Sequence, residues 1–243
     1  MAELKIYEVW DAPTRWFHWI NVLCVIALAG IGTVILQAGA LGIPNDGKIL
    51  LKTVHVWAGY VFALNLTWRI VWAFIGNRHA RWRQLLPGGR GYVGALREYV
   101  HAARAGEAPA YLGHNPVGRI AVGILLLLLA TMAVTGLVLA GTDIFYPPLG
   151  QWIAESISAP GVDPASLQPY AKEMYDATAY DAMRAARKPF ALTHVYAFYT
   201  LMVMVVVHIG AVVVTEIREG GSLISAMFSG RKVFSRKPRD LDY

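Results

Sequence analysis

Residues 189–215 read PFALTHVYAFYTLMVMVVVHIGAVVVT, an uncharged run bounded by Lys188 and Glu216. A hydrocarbon core about 30 Å thick takes about 20 apolar residues of helix to cross. The run is long enough. A backbone in lipid must satisfy its own hydrogen bonds, so the run reads as a membrane-spanning helix. Two histidines, His194 and His208, interrupt it, 14 residues apart. Fourteen residues of helix rise about 21 Å and return to within about 40° of the starting azimuth. Both imidazoles therefore look to one side, at two depths. An ionisable side chain inside a membrane is costly and points to function.

Three more stretches have membrane length, giving spans at about 16–40, 53–76, 118–142 and 189–215. The expected fold is all-α, an integral membrane four-helix bundle, forming one domain over residues 1–243. Composition agrees: 56% of residues are apolar, only 16% are charged and the mean hydropathy is +0.43. A soluble domain carries about 25% charged residues. The net charge of +6 does not indicate nucleic acid, because the cations sit between membrane-length runs. The single cysteine, Cys24, excludes a disulfide framework, and no Cys-x-x-Cys-His motif is present to attach haem covalently. No cleavable signal peptide is expected, since the first apolar run is too long and lacks a cleavage site.

The cations orient the chain. Arg78, Arg81, Arg83, Arg90, Arg97 and Arg104 crowd the connection between spans two and three. Arg218, Arg231, Lys232, Arg236, Lys237 and Arg239 crowd the tail, residues 216–243. The connection at 141–188 is acidic on balance. The positive-inside rule then places both termini in the cytoplasm and the 141–188 connection outside a bacterial inner membrane. Residues 92–104 read as an amphipathic surface helix, and about 170–187 as a helix after a proline-rich start.

Each rung of the His194–His208 ladder needs a partner at its own depth. His18 stands at the cytoplasmic start of span one, level with His208. His55 stands near the outer start of span two, level with His194. A lone membrane histidine is as readily a neutral imidazole bridging helices. Four at two matched depths point instead to two haems b, each held by two imidazoles between facing helices. The expected metal ligands are His18, His55, His194 and His208.

These residues resemble the b-type cytochrome subunits of membrane-bound nickel–iron hydrogenases, a di-haem four-helix family related to the formate dehydrogenase cytochrome subunit. The similarity lies in Asp11-Ala12-Pro13-Thr14-Arg15-Trp16-Phe17-His18-Trp19 and in Arg69–Arg78. It also lies in Gly113-His114-Asn115-Pro116, in Ile217-Arg218-Glu219 and in Leu223-Ile224-Ser225-Ala226-Met227. The resemblance implies ligation by the four span histidines. It implies a periplasmic redox partner, a hydrogenase or a cytochrome, and quinone as substrate near the inner haem. The segment around Tyr146-Pro147-Pro148 departs from the family's usual outer connection.

Other residues carry two readings each. Arg69 can pair with an inner haem propionate or snorkel to headgroups. His114 and Asn115 can hold a quinone carbonyl, with His114 relaying protons; Asn115 also suits an N-cap with Pro116 at the first helical position. Gly59 and Gly136 admit the close approach of a haem or a helix. His79 and His101 read as surface histidines, and Trp16, Trp19, Trp57, Trp68 and Trp72 as interfacial or packing residues. The functions that compete are an electron-transfer subunit of a hydrogenase:quinone complex and quinol oxidation feeding an outer cytochrome. A stand-alone superoxide oxidase or ferric reductase, or a non-redox transporter with buried histidines, completes the set.

Overall fold

The computed structural model describes residues 4–219, 222–235 and 237–241, with the side chain of Glu219 outside that description. Arg236, one of the tail cations, also lies outside the described residues. In chain order the elements are β1 (Lys5–Glu8), α1 (Ala12–Leu36), α2 (Asn45–Ile75), α3 (Trp82–Leu85), α4 (Tyr92–Arg104), α5 (Pro116–Ile144), α6 (Gly150–Ile157), α7 (Ala177–Glu219), α8 (Leu223–Ser229) and β2 (Arg231–Phe234). The fold is all-α in class, and α1, α2, α5 and α7 are long and apolar enough to cross a membrane. Leu64, Leu127 and Val206 on three of them are 73%, 69% and 70% exposed, surface that lipid covers and water would penalise.

Local chemistry sets the helix starts. Asp11 caps α1, its Oδ1 accepting the Thr14 N–H at 3.0 Å. Asn115 caps α5, accepting the Gly118 N–H at 2.7 Å, with Pro116 at the first helical position. Asp176 caps α7 through the Ala179 N–H at 2.8 Å. Each side chain satisfies a donor that the first helical turn leaves orphaned.

Three boundaries differ from expectation. Span two begins earlier, so Asp46, Lys48 and Lys52 are helical. The helix expected from about residue 170 starts at Ala177 instead, and it is not separate from span four. One helix of 43 residues runs on through Pro189. An isolated proline costs one backbone bond, which a long helix packed on neighbours tolerates. The tail is not a plain cationic extension, since it contains α8 and β2.

The chain forms two compact units, and all four long helices contribute to both. Residues 1–20, 65–128 and 201–243 make the first. There β1 and β2 pair antiparallel, from Lys5 opposite Phe234 to Glu8 opposite Arg231. Val9, Trp10, Ala110, Leu112, Ala226 and Phe234 form its core. Lys232 is 1% exposed. Its Nζ donates to the carbonyls of Tyr111 at 3.2 Å and Gly113 at 3.3 Å, and lies over the Trp10 ring. The amphipathic α4 is held by Tyr92 OH to the Pro116 carbonyl (2.8 Å) and by a two-pronged Arg239–Glu98 pair, both contacts 2.7 Å.

Residues 21–64 and 129–200 make the second unit. Ile153, Ile157, Tyr175 and Met183 form a small core that ties α6 to the start of α7. Helix α6 was not expected, because its eight residues lie directly after the prolines that read as loop.

Candidate functional site

In the second unit α2 carries His55 and α7 carries His194. Their ring centroids are 6.4 Å apart with planes at 73°. Thr135 of α5 donates its hydroxyl to the Thr131 carbonyl at 2.6 Å. Its oxygen lone pair is left to accept from His194 Nδ1 at 2.8 Å. The proton therefore belongs on Nδ1, and Nε2 keeps a free lone pair. Glycines make the room. A Cβ at Gly32 of α1 would stand 3.3 Å from His55 Cε1, and one at Gly136 would stand 3.4 Å from His194 Cε1. Gly59 has open space beside it instead.

Two imidazoles that share a metal at about 2 Å per nitrogen have centroids roughly 6.3 Å apart, because each centroid lies about 1.1 Å behind its nitrogen. The 6.4 Å separation fits that spacing. His55 Nδ1, on the side of the ring that faces Gly32, is buried with no partner among the described residues. Among the described residues no three His, Cys, Asp or Glu side chains converge. A bare ion takes three or four protein ligands; a haem needs only two axial ones. The residues fit a haem.

The first unit carries His18 on α1 and His208 on α7. His18 Nδ1 is likewise buried and without a partner among the described residues. Arg69 does not snorkel. It is 4% exposed, both terminal nitrogens donate to the Ala80 carbonyl at 3.1 Å, and it lies over the Phe17 ring. Asn115 is engaged at both ends, by the α5 cap and by Nδ2 donating to Tyr99 OH at 2.6 Å. The cap reading is met, and one Nδ2 N–H is left over.

His114 packs its ring 5.0 Å from Trp10, and its Nδ1 is buried and unpartnered among the described residues. Burial first, then the Lys232 ammonium, pushes its pKa down to about 3. It stays neutral near pH 7, the form that suits hydrogen bonding. His79 corrects another expectation. It is 8% exposed rather than a surface residue, and sits edge-on to Trp10. Burial lowers its pKa against the pull of the Asp240 carboxylate. His101 is exposed, as expected.

Asp11 joins the motif elements of this unit. Besides capping α1, its Oδ2 accepts from Trp72 Nε1 at 3.0 Å and from the Asn77 N–H at 3.3 Å. Asn77 in turn donates to the Val9 carbonyl at 2.8 Å. The sequence motifs around His18 and Arg69 are thus two halves of one hydrogen-bonded joint.

The profile of one family, described as prokaryotic cytochrome b561, matches residues 9–230. The chain belongs to that family. This makes it a membrane-spanning b-type cytochrome, and so a haem b protein with an electron-transfer role. It is 28% identical over 96% of its length to a probable Ni/Fe-hydrogenase B-type cytochrome subunit of Rhizobium leguminosarum bv. viciae, covering 91% of that protein. A Bradyrhizobium diazoefficiens protein of the same description is 29% identical, with 93% of this chain and 85% of that one covered. A probable Ni/Fe-hydrogenase 1 B-type cytochrome subunit of Escherichia coli K12 is 32% identical over 55% of this chain and 60% of its own. No solved structure matches the chain.

Sequence reasoning missed Thr135, Gly32 and the Asp11 joint of this cytochrome. Gly136 was visible, because a glycine within an apolar helix marks a close approach. Thr135 had no such signal: a threonine in a membrane helix ordinarily bonds its own helix, as Thr142 does to the Val138 carbonyl at 3.0 Å.

Proposed function

We propose that this cytochrome holds two haems b, one between His55 and His194 and one between His18 and His208. It carries electrons across the bacterial inner membrane between a periplasmic hydrogenase-like subunit and the quinone pool. The observation that carries the reading is the His55–His194 pair at 6.4 Å, with Thr135 holding the His194 proton on Nδ1. The relatives described as Ni/Fe-hydrogenase cytochrome subunits support the outer partner. The cations of the tail and of the second connection support cytoplasmic termini.

Bound there, haem b supplies one-electron exchange at a potential set by its axial ligands and their hydrogen bonds. The chain does the rest. Gly32 and Gly136 let the imidazoles approach. Thr135 fixes a tautomer. Arg69, bonded at two of its five N–H positions, keeps donors for a propionate. His114, neutral and without a partner at Nδ1 among the described residues, offers the hydrogen bond for a quinone carbonyl beside the His18–His208 pair.

The test is haem stoichiometry. Pyridine haemochrome analysis of the purified chain should find about two haems b. His208→Ala should lose one and keep the spectrum of the other. Wild-type protein free of haem, or loss of both haems on that substitution, would refute the assignment.

A further inference from the structure

One cavity of the second unit serves no role so far. It has a volume of about 260 Å³, and Gly39, Lys48, Lys52, Asp143, Tyr170 and Arg187 are among the residues that line it. Asp143 is shared. Lys52 Nζ meets its Oδ2 at 2.8 Å, while Arg187 grips both oxygens, its terminal nitrogen 2.9 Å from Oδ2. Lys52 also lies over the Tyr170 ring, 5.2 Å from its centroid. Lys48 has no ion pair among the described residues. The cavity thus holds three cations against one carboxylate, an excess of two positive charges in partly buried surroundings. Such a place takes an anion.

Its position says which anion. On each of the four long-helix segments of this unit, a cavity residue lies seven positions from a histidine of the pair or from a glycine packed against one. Lys48 precedes His55 by seven, Arg187 precedes His194 by seven, Asp143 follows Gly136 by seven and Gly39 follows Gly32 by seven. Seven residues are two helical turns, on the same face and displaced by about 10 Å. Only Gly39 stands beyond its helix, in the turn after α1. The cavity is therefore stacked directly beyond the His55–His194 pair.

We propose that this cavity is a carboxylate site that anchors the propionates of the haem held by His55 and His194. The proposal rests on the ligation assigned above. Lys48 supplies a cation that is free of ion pairs among the described residues. Arg187 and Lys52 remain available as donors beyond the contacts Asp143 takes, since guanidinium and ammonium have spare N–H groups.

Lys48→Gln is the informative variant, because it removes a charge without breaking a protein ion pair. In purified holoprotein the midpoint potential of one haem should fall, since a lost cation favours the ferric state, and the other should not move. Transfer of that one haem to excess apomyoglobin should quicken by about tenfold, the worth of one charge-assisted hydrogen bond. Both effects should persist in a His208→Ala background and vanish in a His55→Ala background. Unchanged potential and transfer rate in Lys48→Gln and Lys52→Gln would overturn the anchoring and leave the ligation standing. That result would also follow if the cavity served a carboxylate of another protein. Wild-type protein without haem would overturn the ligation itself.

Discussion

The contact most open to attack is the one between Thr135 and His194. Thr135→Val is nearly isosteric and removes only the hydroxyl. It deletes an acceptor 2.8 Å from His194 Nδ1 and leaves a buried N–H unpaired. A neutral bond of this kind contributes about 1 kcal/mol, and a donor left unsatisfied costs about 1–3 kcal/mol. Loss of such an outer contact costs roughly 10–100-fold in affinity for the bound metal centre. A second effect has a definite sign. An acceptor on Nδ1–H raises the basicity of the imidazole, which favours ferric iron. Thr135→Val should therefore raise the midpoint potential of one haem as it loosens that haem. The assay is a spectroelectrochemical titration, paired with haem transfer to apomyoglobin. Thr135→Ser keeps the hydroxyl and should behave as wild type. If Thr135→Val leaves both potentials and both transfer rates unchanged, the tautomer argument fails and His194 is not held as described.

Three further outcomes are expected. Asp11→Ala removes a helix cap and two other accepted bonds, about 3 kcal/mol together, and should lower the thermal midpoint in detergent. Burial raises the Asp11 pKa, but the Thr14, Trp72 and Asn77 hydrogen bonds outweigh it and hold the pKa below the ordinary 3.8. The wild-type contribution is thus present above that pH and lost as pH falls through the folded value, while the variant should be flat there. A reporter inserted at Asp163 should read periplasmic and one fused after Tyr243, itself outside the described residues, cytoplasmic; reversed labelling would invert the proposed path. His114→Ala should slow reoxidation by a soluble quinone analogue and spare both haem spectra. Because burial holds the His114 pKa at about 3, the slowing should be the same from pH 5 to 8. A histidine-like pH step in the wild-type rate that His114→Ala abolishes would contradict that.

What the amino-acid order determined by itself was whatever depends on period and length. Four runs of membrane length follow from the absence of charge. The expectation that His18, His55, His194 and His208 stand at two matched depths rests on the helix rise and the run ends alone. The caps Asn115 and Pro116 and the helix at 92–104 follow from contacts within a turn or two of the chain. Tertiary structure decided what depends on partners far apart in sequence. The β1–β2 pairing joins two four-residue strands from opposite ends of the chain, too short to announce themselves. It also buries Lys232, which as a sequence symbol is only one more tail cation. His79 is buried and sits edge-on to Trp10, a contact no local pattern specifies. Pro189 ends a helix by its usual chemistry, yet α7 continues through it. Thr135 faces His194 only because α5 and α7 bring those positions side by side. The stacked cavity is the mixed case. Its seven-residue spacings were in the sequence throughout, but they acquire meaning only when Gly32 and Gly136 are known to lie against His55 and His194. Periodicity fixes the face a residue occupies; only packing decides what that face meets.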